Sequence, residues 1–197
     1  MKEIRGKGYF ASMMVLYRNK KNNYICIFLL VMVIGCVNII PIPIHTNKSK
    51  FDGQVELSMI PIGIGSKIAP LNGLGLYKNS KMQQEAIVLT ALVTGAHIFA
   101  RGNSLHFNID GEIVSFRSID ELTDIETYVG YYNIVSAKNT SQKRYLINRS
   151  FLKKLVNADK VVVKINLDKT YVEDIFTGSL AHKAFIKFDE KIESTFN

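Results

Sequence analysis

SLHFNIDGEIVSF, residues 104–116, decides the fold. Leu105, Phe107 and Ile109 alternate with His106, Asn108 and Asp110, so one face of the segment is apolar and the other polar. Asp110-Gly111 sits between two such arms. Asp-Gly suits a two-residue type I′ turn, because both central residues need positive φ. Val114 and Phe116 then return on one face. The segment predicts a β-hairpin, and with it an antiparallel sheet.

Working outward, the C-terminal side continues the sheet and adds helices. Tyr128 to Val135 and Lys143 to Asn148 are predicted strands. SFLKKLVNADK follows, with Ser150 as the expected N-cap of a short helix and Phe151, Leu152, Leu155 and Val156 as its apolar face. Val161, Val163, Ile165 and Leu167 alternate with Val162, Lys164 and Asn166, which predicts a strand. Asp168-Lys169 turns the chain into Tyr171 to Phe176. Gly178-Ser179 precedes a last helix to about Glu193, with a stripe of Leu180, Ala181, Ala184, Phe185, Phe188 and Ile192.

The N-terminal side of the hairpin is less regular. Gln54 to Ile62 reads as a strand with Val55, Leu57 and Met59 on one face. Ile62 to Asn79 holds Gly63, Gly65, Gly73 and Gly75. It lacks GxGxxG spacing and any Gly-Lys-Ser or Gly-Lys-Thr, so turns, a bulge or a loop explain the glycines better than a phosphate site. AIVLTALV, residues 86–93, fits helix or strand, and its β-branched residues favour strand. Strands followed by helices segregated from an antiparallel sheet give an α+β class: a largely antiparallel sheet, a short helix and a packed C-terminal helix.

The charge is unevenly spread. The formal net charge of the 197 residues is +8, yet residues 1–35 hold six Lys or Arg against one acidic residue. From Cys36 onward there are 19 basic and 16 acidic residues, too small an excess for a nucleic-acid surface. The two cysteines, Cys26 and Cys36, both lie near the N-terminus. No later thiol exists to form a disulfide, bind zinc or act as a nucleophile.

Both cysteines fall inside ICIFLLVMVIGCV, residues 25–37, an uninterrupted apolar run of 13. About 20 residues are needed to span a bilayer as a helix. Arg18, Lys20 and Lys21 precede the run, Ile25 to Ile34 form its core, and Gly35 is a small residue at a cut site. That is the layout of a signal peptide over residues 1–35. A start at Met14 would give a leader of 22 residues; the alternative is an unusually long basic region. An uncleaved N-terminal anchor and a buried core segment are the competing readings.

Val33-Ile34-Gly35-Cys36 resembles the bacterial lipobox, with Val33 where Leu is usual. Residues Tyr145 to Ser194 also resemble the C-terminal part of small bacterial lipoproteins, in which a short helix leads to a valine-rich strand, a turn and a closing helix. The resemblance implies that Cys36 is the lipid-attachment residue, carrying diacylglycerol and further acyl (palmitate-type) chains after cleavage before it. It places the mature protein at the cell membrane, outside the cytoplasm. In a two-membrane organism Val37, standing where Asp would signal inner-membrane retention, points to the outer membrane. Residues 36–53, with Pro41 and Pro43, are then the expected lipid-anchored tether, 54–193 a single domain and 194–197 a tail.

No constellation for chemistry stands out. There is no G-x-S-x-G elbow. His45 lies in the tether, His106 should point out of the hairpin, His182 sits in the first turn of the last helix, and His97 is the expected half-buried one. Asp120, Glu121, Asp124 and Glu126 read as a solvated acidic face, with Asp120 and Asp124 spaced for one helical turn. Lys138, Lys143, Arg144, Arg149, Lys153 and Lys154 read as a modest basic patch toward anionic lipid. The expectation is therefore no catalytic residue, cofactor or metal, and a cell-envelope lipoprotein with an interaction or structural role. Its partners would be the bilayer and an envelope protein, peptidoglycan or lipid, not nucleic acid. A carrier of a small apolar ligand or lipid, and an enzyme of unrecognised class, are the alternatives.

Overall fold

Ten strands and two helices follow one another along the described residues, 44–65, 72–128 and 138–196 of the computed structural model. They are β1 (Ile44–Lys48), β2 (Val55–Gly63), β3 (Asn72–Asn79), β4 (Ala86–Thr94), β5 (Asn103–Ile109), β6 (Glu112–Arg117), β7 (Asp124–Tyr128) and β8 (Lys138–Asn148). Then come α1 (Arg149–Asn157), β9 (Val161–Asn166), β10 (Tyr171–Ile175) and α2 (Leu180–Phe196). The strands form a six-stranded sheet, β1-β2-β3-β4-β8-β7, and a four-stranded sheet, β10-β9-β5-β6. Every pairing is antiparallel, and the fold is α+β. Residues Ile42–Asn197 make one compact unit.

The hairpin forms as predicted. Asp110 has φ 51° and Gly111 φ 96°, the paired positive values a type I′ turn needs. Ile109 pairs with Glu112 and Phe107 with Val114. The period of two puts Leu105, Phe107 and Ile109 in the core. β9 adds Val161, Val163 and Ile165 to the same apolar face, as their alternation predicts. Leu57, Met59, Leu74, Leu76, Ile87, Leu89 and Tyr145 supply the inner face of the six-stranded sheet.

The helices fill the space on these inner faces. α2 packs on β2 and β3, and α1 packs on β8 and on α2. Phe151 of α1 meets Phe107 and Phe116 edge-on, at centroid distances of 5.3 and 4.6 Å. Such pairs add about 0.5–1.5 kcal/mol beyond the area they bury. The sheets are also stitched directly. Ser118 bridges to Tyr145, Phe99 bridges to Leu167, and Gly65 N–H donates to Ile175 O at 3.1 Å.

Several boundaries differ from expectation. The tether does not extend to Gly53: Ile44–Lys48 is β1, paired with β2. Its two prolines precede it, so all its N–H groups are available, and it is an edge strand. Asn148, not Ser150, caps α1. Its Oδ1 accepts from Phe151 N–H at 2.8 Å, and Ser150 Oγ donates to the same oxygen. β7 ends at Tyr128, the one residue of the predicted strand at Tyr128 to Val135 that is described; residues 129–135 lie outside the described residues. α2 runs on to Phe196 rather than ending at Glu193, and Leu180 is exposed rather than part of the buried stripe.

The glycine-rich stretch is partly strand. Gly73 and Gly75 lie in β3, while residues 66–71 lie outside the described residues. A β-carbon on Gly75 would stand 2.8 Å from Met59 O and 2.9 Å from Pro61 N. Glycine is needed there because β2 shifts register between Met59 and Ile62 and brings its backbone over β3.

Candidate functional site

Cys36, the expected attachment residue, and the apolar run lie outside the described residues. The acidic segment does not form a helix. Residues 118–123 run as a bend and turn from β6 into β7, and Asp120 and Asp124 come to one open cleft of about 780 Å³ beside β8. Arg144, Gln142 and Thr90 complete its polar wall.

The cleft is built from a locked ion pair. Arg144 Nη2 donates to Asp120 Oδ1 at 2.8 Å, Arg144 Nε donates to the same oxygen at 3.1 Å, and the Arg144 backbone N–H donates to Asp120 Oδ2 at 2.7 Å. Ser118 Oγ donates to Arg144 O and accepts from Asp120 N–H, which fixes the loop on β8. Burial opposes ionisation of Asp120, but the Arg144 donors outweigh it and hold the carboxyl below the usual range. A carboxylate so occupied is a structural clasp, not a general base. Gln142 Nε2 holds Asp124 at 3.2 Å, so the second acid is also bonded. Among the described residues, no three His, Cys, Asp or Glu side chains converge as a metal site would require.

The histidines divide as follows. His45 is exposed on β1, and His97 is half-buried, as expected. His182 accepts from Gly178 N–H at 3.1 Å and stacks edge-on with Phe176. His106 does face outward, but into company that single-strand reading misses. Its Nδ1 lies 2.7 Å from Ser115 Oγ on β6, and its Nε2 lies 2.9 Å from Asn166 Nδ2 on β9. The row Ser115-His106-Asn166 crosses three strands. Which group donates at each contact is set by the imidazole tautomer. The row is a polar ladder across β6, β5 and β9. The register of β5 against β6 and β9, not any motif, assembles it.

The basic patch expected from Lys143, Arg144, Arg149, Lys153 and Lys154 does not assemble. Lys143 is buried and donates to Glu121 O, Arg144 is held by Asp120, and Lys154 pairs with Glu112 at 2.6 Å. Arg149 bonds Asp189 at 3.0 Å and Glu193 at 3.3 Å. Successive residues of β8 point to opposite faces, and carboxylates neutralise most of the rest. The side chain of Lys138 lies outside the described residues.

A different basic row is present on α2. Lys183, Lys187 and Lys191 are spaced by four and are exposed, and none has an ion-pair partner among the described residues. The acidic residues Asp189 and Glu193 of the same helix face Arg149 instead. Lys187 and Lys191 line a cleft of about 390 Å³ with Ile44, Glu190 and Ser194. No family model, curated protein or solved structure matches the chain.

Proposed function

We propose that the chain is a lipid-anchored protein of the bacterial cell envelope, attached through Cys36, with an interaction or structural role. The observation that carries this reading is Val33-Ile34-Gly35-Cys36 at the end of an apolar core preceded by Arg18, Lys20 and Lys21. One feature of the domain supports it: the first strand among the described residues begins at Ile44, eight residues after Cys36. No helix among the described residues is long and apolar enough to cross a membrane. Over a carrier of apolar ligands, an interaction role is supported by the cleft beside β8, which is open and lined chiefly by polar side chains.

The test is the intact mass of the protein extracted from membranes. A species that begins at Cys36 and carries added acyl mass is the expected result. Cys36→Ala should lose the acyl mass and keep the fold. An unmodified chain still holding residues 14–35 would replace this reading with an uncleaved anchor.

A further inference from the structure

The anchor leaves little chain between lipid and domain. Only residues 37–43 separate Cys36 from Ile44, the first residue of β1. Fully extended, at no more than about 3.6 Å per residue, they reach on the order of 30 Å. A compact unit the size of Ile42–Asn197 has a radius of gyration of roughly 15 Å and hence a larger diameter than that reach. The side of the domain that carries Ile44 is therefore confined near the bilayer.

That side is basic. Ile44 pairs with Met59 and Thr46 with Leu57, so β1 turns Ile44, Thr46 and Lys48 toward the face on which α2 packs. There Ile44 shares its cleft with Lys187 and Lys191. Lys183 lies one turn earlier on the same row. The charges of α2 are segregated, because Asp189 and Glu193 are drawn to Arg149 of α1. Glu190 is the one carboxylate in the cleft among the described residues, which leaves that lining net positive.

We propose that the flank formed by β1 and the lysine row of α2 rests on anionic headgroups of the bilayer that holds Cys36. The inference rests on the anchoring proposed above and adds an orientation to it. Lysines near an anionic surface gain attraction that falls off within a Debye length. Here the tether supplies the proximity that such weak contacts need. The outer face of the four-stranded sheet, with Ile113, would then stay in water and remain available to another component.

The test uses the acylated protein with one added cysteine, Ser194→Cys beside the lysine row or Ile113→Cys on the other sheet. With Cys36 acylated, the new thiol is the only one after it to carry a fluorophore. The protein is placed in phosphatidylglycerol–phosphatidylcholine vesicles that contain a lipid with a quencher on its headgroup. Quenching at position 194 should exceed that at position 113 several-fold. The excess should vanish in 1 M salt, where the Debye length is about 3 Å. It should also vanish in a Lys183→Gln, Lys187→Gln, Lys191→Gln variant. Equal quenching at both positions, in protein that is acylated and vesicle-bound, would overturn the orientation and leave the anchor intact. An excess that survives both salt and the glutamines would assign the proximity to the tether alone and overturn the role of the lysines. Protein without acyl mass that fails to sediment with vesicles would remove the anchor and this inference together.

Discussion

The Tyr145 hydroxyl lies 2.7 Å from Ser104 Oγ, a buried contact that joins β8 of one sheet to β5 of the other. Tyr145→Phe would leave the Ser104 hydroxyl buried without that partner, at a cost of about 1–3 kcal/mol. The double variant Tyr145→Phe, Ser104→Ala should lose less than the sum of its parts, and urea unfolding of all four proteins checks this. Burial pushes the phenol up to about 12, against a smaller lowering by Ser104. A raised folded pKa means full stability below the ordinary value near 10 and loss as pH rises toward 12. That loss, roughly 3 kcal/mol, should be missing from Tyr145→Phe.

Gly75 should tolerate no side chain. Its missing β-carbon is where Met59 O and Pro61 N approach, and both are backbone atoms that move only with β2. Gly75→Ala is expected to cost about 1–3 kcal/mol, as overpacking does. The measurement is a denaturant midpoint shift. An unchanged midpoint would show that β2 does not bulge over β3.

What was legible in the sequence was what one strand or one helix carries by itself. Alternation in Leu105 to Ile109 and Val161 to Ile165, and the Ala181-Phe185-Phe188-Ile192 stripe, is local, and each forms as read. β1 was not legible. Two prolines and the polar string His45-Thr46-Asn47-Lys48 look like a tether, and only pairing with β2 makes them a strand. The same limit hid the candidate sites. Asp120 and Arg144 are far apart in sequence, and so are His106 and Asn166, and register alone brings each pair together. The basic patch was misread because residues adjacent in β8 face opposite ways.

Asp120 should make the domain sensitive to acid through one identifiable contact. Its folded pKa lies below the ordinary carboxylate value, so its contribution is present above that value and is lost as pH falls through the lowered one. Asp120→Asn should therefore be less stable than wild type at neutral pH, by about 1 kcal/mol for a half-exposed pair. The gap should close in acid as the wild-type carboxyl also loses its charge. Thermal melts of the two proteins at both pH values check it, and a gap independent of pH would exclude the ion pair as its source.

Phe188→Ala tests the packing of α2. The ring is fully buried among the side chains of the common core. Removing it leaves a cavity as well as lost apolar contact, and changes of this kind cost about 3–5 kcal/mol.

Lys78 offers a test of a buried cation. Its Nζ donates to Gln84 O at 2.6 Å, Ala86 O at 3.1 Å and Gln83 O at 3.3 Å, which ties down the turn between β3 and β4. The ring of Phe196 lies 5.5 Å from the same nitrogen, so the end of α2 is held there as well. Lys78→Met keeps most of the stem but removes three donors, and about 1–3 kcal/mol should be lost. Amides of residues 83–86 should exchange faster. Burial, first among its influences, draws the ammonium below its ordinary 10.5. The unfolded chain then holds that proton more tightly, so wild-type stability rises with pH between the lowered value and 10.5. Measured as a difference between the two proteins, which cancels Tyr145, the gap should widen across that window. A gap that narrows there would mean that the ammonium is favoured, not disfavoured, by its site.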